Sequence, residues 1–175
     1  SAIDIENVSL NEARIGFARV LERMGADIAL KSTGSAGEEP CGTISGSYVE
    51  HLHSCEVAWR EIASLVDEIP VLALVAAHAE GTTVFHEVGE LRVKETDRLA
   101  AILEGLSKLG VHAWAEGDDL HIEGKPGLVV PEGLVFDSLG DHRLAMTWSL
   151  VGFTGAHSVS IRDFEAVRVS YPGFR

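Results

Sequence analysis

Only two of the 175 residues are cysteine, Cys41 and Cys55. With no further thiol and no metal-ligand spacing, they exclude a thiolate metal centre and read as reduced thiols rather than a disulfide. Basic residues are scarce as well: 14 Lys and Arg stand against 27 acids, a formal charge of −13. Phosphate-backbone binding needs a basic stripe, so nucleic acid is a poor partner. Long apolar runs are missing. The longest, "IPVLALVAAHA", is too short to cross a bilayer and is broken by His78, so no membrane partner is expected. No basic segment leads into an apolar one at the start, which gives no mark of secretion and an expected cytoplasmic location. The eight histidines form no H-x-x-H or H-x-x-x-H pair, and G-x-G-x-x-G, P-loop and G-x-S-x-G motifs are absent. No metal and no cofactor are therefore expected.

What remains is an ordinary globular composition, 46% hydrophobic and 23% charged, in a length that suits one domain with a real core. A small anionic ligand is still compatible with an acidic chain, because a few cations converging in a cleft outvote a distant surface.

Apolar spacing predicts a strand at 3–10, a helix over 11–27 stopped by Gly25, and a strand at 27–33. The stretch "GSAGEEPCG" (34–42) reads as an exposed loop, and 43–57 as one or two strands. Residues 58–81 read as mostly helical, interrupted near Pro70. A strand at 82–88 follows, then an amphipathic helix over 94–110 and a hairpin over 111–124 turning at Gly117-Asp118. A helix over 141–156 and a strand over 157–164 close the pattern.

This order recurs. "ENVSLNEARIGFARVLERMGADI" and "HEVGELRVKETDRLAAILEGLSKLGVHA" share one plan of strand, polar turn, helix, Gly and strand, and "RDFEAVRVS" lies over "HEVGELRVK". Units that cannot bury their faces alone are expected to stack. The chain thus holds two units and the beginning of a third.

Charges concentrate at helix starts. In "RVKETDRL", Glu95 and Asp97 suit the positive end of a helix dipole, but Lys94 and Arg98 do not, unless an anion shares the site with free backbone N–H groups. "GDHRLAM" repeats the arrangement: Asp141 caps, and Arg143 sits in the first turn, either as a surface residue or as a carboxylate or phosphate fork. In "SLVDEIP", Asp67 and Glu68 precede an apolar helix, where a carboxylate is either a cap or a group with a tuned pKa.

Taken together, "VDEIPVLALVAAHAEGTT", "ELRVKETDRL", "GDHRLAM" and "VSYPGF" resemble the enolpyruvyl transferase family, and most closely its shikimate-pathway branch, in order and interval over nearly the whole chain. The branch acting on UDP-N-acetylglucosamine is similar in fold but differs at the triplet Asp141-His142-Arg143. The resemblance implies a mixed α/β fold of βαβαββ units around buried helices, an inside-out barrel that this chain leaves incomplete. It implies that residues 1–175 are most of the C-terminal domain of a two-domain enzyme, whose N-terminal domain is a missing partner. The implied substrates are phosphoenolpyruvate and shikimate 3-phosphate. By the same resemblance Asp67 is the general base, Glu95 exchanges a proton with the methylene carbon, Arg98 and Arg143 clamp phosphoenolpyruvate, and Lys94 lies near shikimate 3-phosphate. Two positions depart from the pattern: Glu90 stands where some relatives carry asparagine, and Val169, beside Arg168, stands where some carry lysine. The rival expectation is a non-catalytic module whose charged helix starts dock an acidic partner; it needs neither an Asp67–Glu95 pairing nor a second domain.

Overall fold

The computed structural model describes residues 2–155 and 158–174. The last position of the helix expected to 156 and the first of the strand expected from 157 lie outside the described residues.

Strand β1 (Ala2–Ser9), helix α1 (Gly16–Arg23), β2 (Asp27–Ala36) and β3 (Glu39–Ser47) form the first unit. Its sheet has the order β1-β3-β2, with both pairings antiparallel. The second unit comprises β4 (Glu56–Val57), α2 (Trp59–Ile62), α3 (Ile69–Ala76), β5 (Thr82–Phe85), α4 (Arg98–Lys108), β6 (His112–Glu116) and β7 (Asp119–Glu123). Its sheet runs β4-β5-β7-β6, and β4 lies parallel to β5. Then β8 (Val135–Asp137), α5 (His142–Thr154) and β9 (Ser160–Arg162) open a third unit, with β8 parallel to β9. None of the helices described is long and apolar enough to cross a membrane.

The repetition reaches into the backbone. Asn7, Glu87 and Asp163 hold the same place in the three copies, and all three are left-handed, with φ of 57°, 54° and 54°. Non-glycine residues rarely accept that region. Helices α1 and α4 both close on a left-handed glycine, Gly25 (φ 90°) and Gly110 (φ 72°). The next amides, of Ala26 and Val111, then reach back to the Leu21 and Leu106 carbonyls. Short 3-10 turns at Gly89–Val93 and Phe164–Val169 bury Leu91 and Val167 at matching positions.

Three expectations are refined. The loop read at 34–42 is mostly strand: β2 and β3 continue as a ladder to a turn at Ala36–Glu39, with a register shift near Gly34. Backbone pairing holds it without apolar alternation. The interruption expected near Pro70 falls just before it, because proline in the first turn of α3 gives up an N–H that has no acceptor there. Helix α4 starts at Arg98, later than residue 94, since Asp97 caps it by accepting from the Ala100 amide at 2.9 Å.

Helices α3, α4 and α5 form the centre of the core, with Leu72, Leu99, Ile102, Leu106, Leu144 and Trp148 almost fully buried. Trp148 stacks on Phe136 at 4.9 Å and covers Gly105, where an added Cβ would collide with the indole. This contact sets how closely α4 and α5 approach, and both helices begin at the charged stretches.

Candidate active site

The starts of α4 and α5 and the short 3-10 turn Val66–Glu68 before α3 bring four of the five expected site residues into one cluster. At its centre is Arg98, only 1% exposed. Its Nε donates to Asp141 Oδ2 at 2.7 Å, Nη1 to Asp67 Oδ1 at 3.1 Å, and Nη2 to Glu95 Oε2 at 2.5 Å. Burial opposes the charge on this guanidinium, but Asp141 first and then Glu95 and Asp67 more than offset it, so its pKa lies above the usual arginine value.

Asp67 bridges two arginines. While Oδ1 takes Arg98, Oδ2 faces Arg143 Nη2 at 3.1 Å, and the Asp67 carbonyl accepts from Arg143 Nη1 at 3.4 Å. Asp67 and Arg143 remain partly exposed, and Glu95 is half-exposed, so these three can meet a ligand where Arg98 cannot without displacing a carboxylate. Asp141 is fully buried and does two jobs: besides Arg98 it accepts the Arg143 amide at 2.8 Å, capping α5.

Lys94 stands apart. Its ammonium pairs with Glu90, one turn back, rather than with the cluster. Arg168 pairs with Glu165 at 2.8 Å, and Val169 is exposed.

Two partners escaped the sequence reading. Asp141 was legible as a cap but not as the partner of a residue 43 positions away. Glu68 lies 3.6 Å from Arg143 Nη1, and burial raises its carboxyl pKa, against the pull of Arg143 and aided by the neighbouring charge of Asp67. The signal for Glu68 was its place beside Asp67 at the edge of an apolar helix. Between α3 and α5 opens a pocket of about 220 Å³, with Asp67, Glu68 and Arg143 at its polar end and Val71, Leu150 and Phe174 among its apolar walls.

Chemically, the cluster offers a carboxylate fixed between two guanidinium groups, a second, half-exposed carboxylate on the buried guanidinium, and a partly exposed arginine fork. Two guanidinium groups pair with four carboxylates (Asp67, Glu68, Glu95 and Asp141), and Arg14 adds a third positive charge near Glu68, so an added anion still meets an excess of negative charge.

The family model for EPSP synthase (3-phosphoshikimate 1-carboxyvinyltransferase) matches residues 1–175. The 3-phosphoshikimate 1-carboxyvinyltransferase of Brevibacillus brevis is 40% identical over 174 residues, 99% of this chain and 40% of the relative. That of Roseiflexus castenholzii is 42% identical over 167 residues, 95% of this chain and 38% of the relative. The solved EPSP synthase of Acinetobacter baumannii superposes with a TM-score of 0.91 at 32% identity, covering 98% of this chain and 39% of its own. The enolpyruvyl transferase NikO from Streptomyces tendae shares the fold, with a TM-score of 0.72 at 18% identity. The chain spans about two fifths of the length of the relatives it matches.

Proposed function

Because this chain belongs to the EPSP synthase family, we propose that it supplies one face of an enzyme joining phosphoenolpyruvate to the 5-hydroxyl of shikimate 3-phosphate. The observation that carries this reading is the Asp67 carboxylate held at 3.1 Å from each of two arginines that begin different helices. A carboxylate so fixed is an oriented acceptor for a hydroxyl proton.

In the proposed reaction the hydroxyl oxygen bonds to C2 of phosphoenolpyruvate as its proton passes to Asp67, while Glu95 delivers a proton to C3. The resulting tetrahedral adduct then returns a proton from C3 to Glu95 and expels phosphate from C2, which carries off the proton held by Asp67, leaving the enolpyruvyl ether. Arg143 holds the anionic reactant. Arg98 holds Asp67 in place through Nη1, and its Nη2 reaches the anion when Glu95 moves off it. Lys94, once released from Glu90, lies on the shikimate 3-phosphate side. Fixed cations aimed at developing and departing charge are the main catalytic means available here.

The charge balance of the cluster supports a second domain. Both substrates are anions, and the four carboxylates already exceed the guanidinium groups of Arg98, Arg143 and the nearby Arg14. Further cations must come from elsewhere, and we assign them to the N-terminal domain of a two-domain enzyme of which residues 1–175 are most of the C-terminal one. A docking module would not need Asp67 and Glu95 on the same guanidinium.

The test is Asp67→Asn in the full-length protein, assayed by phosphate release with both substrates. We expect turnover to fall by at least about a hundredfold, the lower range for loss of a positioned general base. Turnover within a few-fold of the parent would overturn the assignment.

A further inference from the structure

We propose that Arg14 is a positioning residue for the anion site, the cation that receives the Glu68 carboxylate when an arriving anion displaces it from Arg143. The inference rests on the proposed function, since it takes Arg143 as the group that holds phosphoenolpyruvate. The Arg143 fork already has protein partners. Asp67 takes Nη2 at 3.1 Å and, through its carbonyl, Nη1 at 3.4 Å, while Glu68 Oε1 stands 3.6 Å from Nη1. These contacts are unequal. The Asp67 carboxylate is also held from behind by Arg98 Nη1 at 3.1 Å, whereas the Glu68 contact is too long for a hydrogen bond. An anion that takes Nη1 therefore displaces Glu68 first.

Displacement leaves Glu68 in a poor place. Burial disfavours its charge, Asp67 beside it adds to the effect, and Arg143 is the strongest pull in the other direction. Without Arg143 it would be an uncompensated, partly buried carboxylate next to a newly bound anion, a costly arrangement. Arg14 offers the remedy. Glu68 borders two cavities: the pocket that holds Arg143, and a hollow of about 50 Å³ lined by Arg14, Ser64, Leu65 and Asp67. Among the described residues the Arg14 guanidinium has no hydrogen bond or ion pair, yet its charge already pulls on the Glu68 carboxyl.

Local structure fixes where Arg14 stands. Asn11 Oδ1 accepts the Ala13 amide at 3.0 Å and the Asn11 carbonyl accepts the Arg14 amide at 2.8 Å, closing a turn ahead of α1. Ile15 is buried, and Gly16 lies so close to Ser64 that an added Cβ would collide with the hydroxyl. The start of α1 is thus docked against the residues that lead into Asp67 and Glu68. By this contact the first unit delivers a cation to the rim of a site that the second and third units build. Once an anion is bound, Glu68 turns into the hollow and pairs with Arg14, which leaves Nη1 of Arg143 to the anion. A carboxylate with two alternative cations can yield its first one without being stranded.

The experiment is a double-mutant cycle on the full-length polypeptide of the parent gene, reading the KM for phosphoenolpyruvate at saturating shikimate 3-phosphate. Arg14→Gln should raise KM about fivefold, the scale of a partly exposed ion pair, and Arg14→Lys should restore most of the loss. In a Glu68→Gln background, Arg14→Gln should change KM by less than about twofold, because no displaced carboxylate is left to receive. A structural role for Arg14, or a general attraction for the anion, would act equally in both backgrounds, and that result overturns the proposal. So does an Arg14→Gln variant with the KM of the parent. Arg143→Ala keeps the two readings apart. If it leaves KM unchanged, the anion clamp falls and this inference with it; if it raises KM while Arg14 and Glu68 show no coupling, this inference alone falls.

Discussion

Asp141 divides its carboxylate between two helices: Oδ2 accepts Arg98 Nε at 2.7 Å at the start of α4, and Oδ1 accepts the Arg143 amide at 2.8 Å at the start of α5. The pair is buried at both ends, 1% and 0% exposed. Removing one member of a buried ion pair costs about 3–5 kcal/mol, and here Arg98 keeps two other carboxylates. Asp141→Ala should therefore destabilise the protein by about 3 kcal/mol, near the low end. Asp141→Asn keeps a capping oxygen and should cost less. Chemical denaturation of the full-length protein gives both values; equal losses would show that the charge, not the cap, sets the cost.

Arg143 and Glu95 should separate in kinetics. A charge-assisted hydrogen bond contributes about 1.5–3 kcal/mol, so Arg143→Ala should raise the KM for phosphoenolpyruvate roughly ten- to hundredfold. Glu95→Gln preserves shape and removes a proton donor, so it should depress kcat more than KM. Steady-state kinetics on the full-length enzyme would show whether the two effects divide this way. Effects of both changes on kcat alone would contradict it.

Residues 1–175 by themselves should show no transfer activity. With one side of the site open to water, a charge pair at about 4 Å is worth only about 1 kcal/mol, against about 4 at an effective dielectric near 20. Anion affinity should then be no better than roughly millimolar. A calorimetric titration with phosphoenolpyruvate and a phosphate-release assay test this. Micromolar binding or steady turnover would remove the need for a second domain.

His86 should leave a signature in stability against pH. Its Nδ1 lies 2.8 Å from Asp119, with Glu56 at 3.6 Å from Nε2, and the hydrogen bond to Asp119 raises its pKa above the ordinary 6.5. Asp119, which also accepts the Glu87 amide at 2.7 Å and for that reason first, has its pKa lowered. A raised histidine pKa gives stability that is complete below about 6.5 and is lost as pH rises through the folded value. The aspartate contribution is present above its ordinary 3.8 and is lost as pH falls through its lower folded value. Thermal midpoints of the parent and His86→Gln should thus differ at pH 5–6 and converge on going to pH 8–9. A gap that widens with pH would refute the pairing.

The sequence was most legible where chemistry is local. Gly25 and Gly110 close α1 and α4, Gly117 and Asp118 turn the hairpin, and Asp141 caps the helix that carries Arg143. Each feature depends on residues within a turn of one another. Illegible were features made by distance. The Ser35–Pro40 end of the β2–β3 ladder has no apolar alternation, because its pairing is backbone alone. The short strand β8 owes its existence to parallel pairing with β9. Arg98, read as half of an anion clamp, lies under three carboxylates contributed by segments up to 43 residues away, a saturation that no local pattern announces.

Where α4 and α5 touch, Trp148 rests on Gly105. Gly105 is seven residues along α4 from Arg98, and Trp148 is seven residues along α5 from Asp141. The two helices therefore work like the blades of a pair of scissors with equal arms, each about 10 Å long at 1.5 Å per residue. The pivot is a missing methyl group, and the tips are the ion pair. Rigid arms pass a spread at the pivot on to the tips, and a misplacement of about 1 Å at a reacting centre can cost a hundredfold in rate. The hydrogen atom on Gly105, two turns along α4 from Arg98, is thereby part of the gauge that spaces the ion pair.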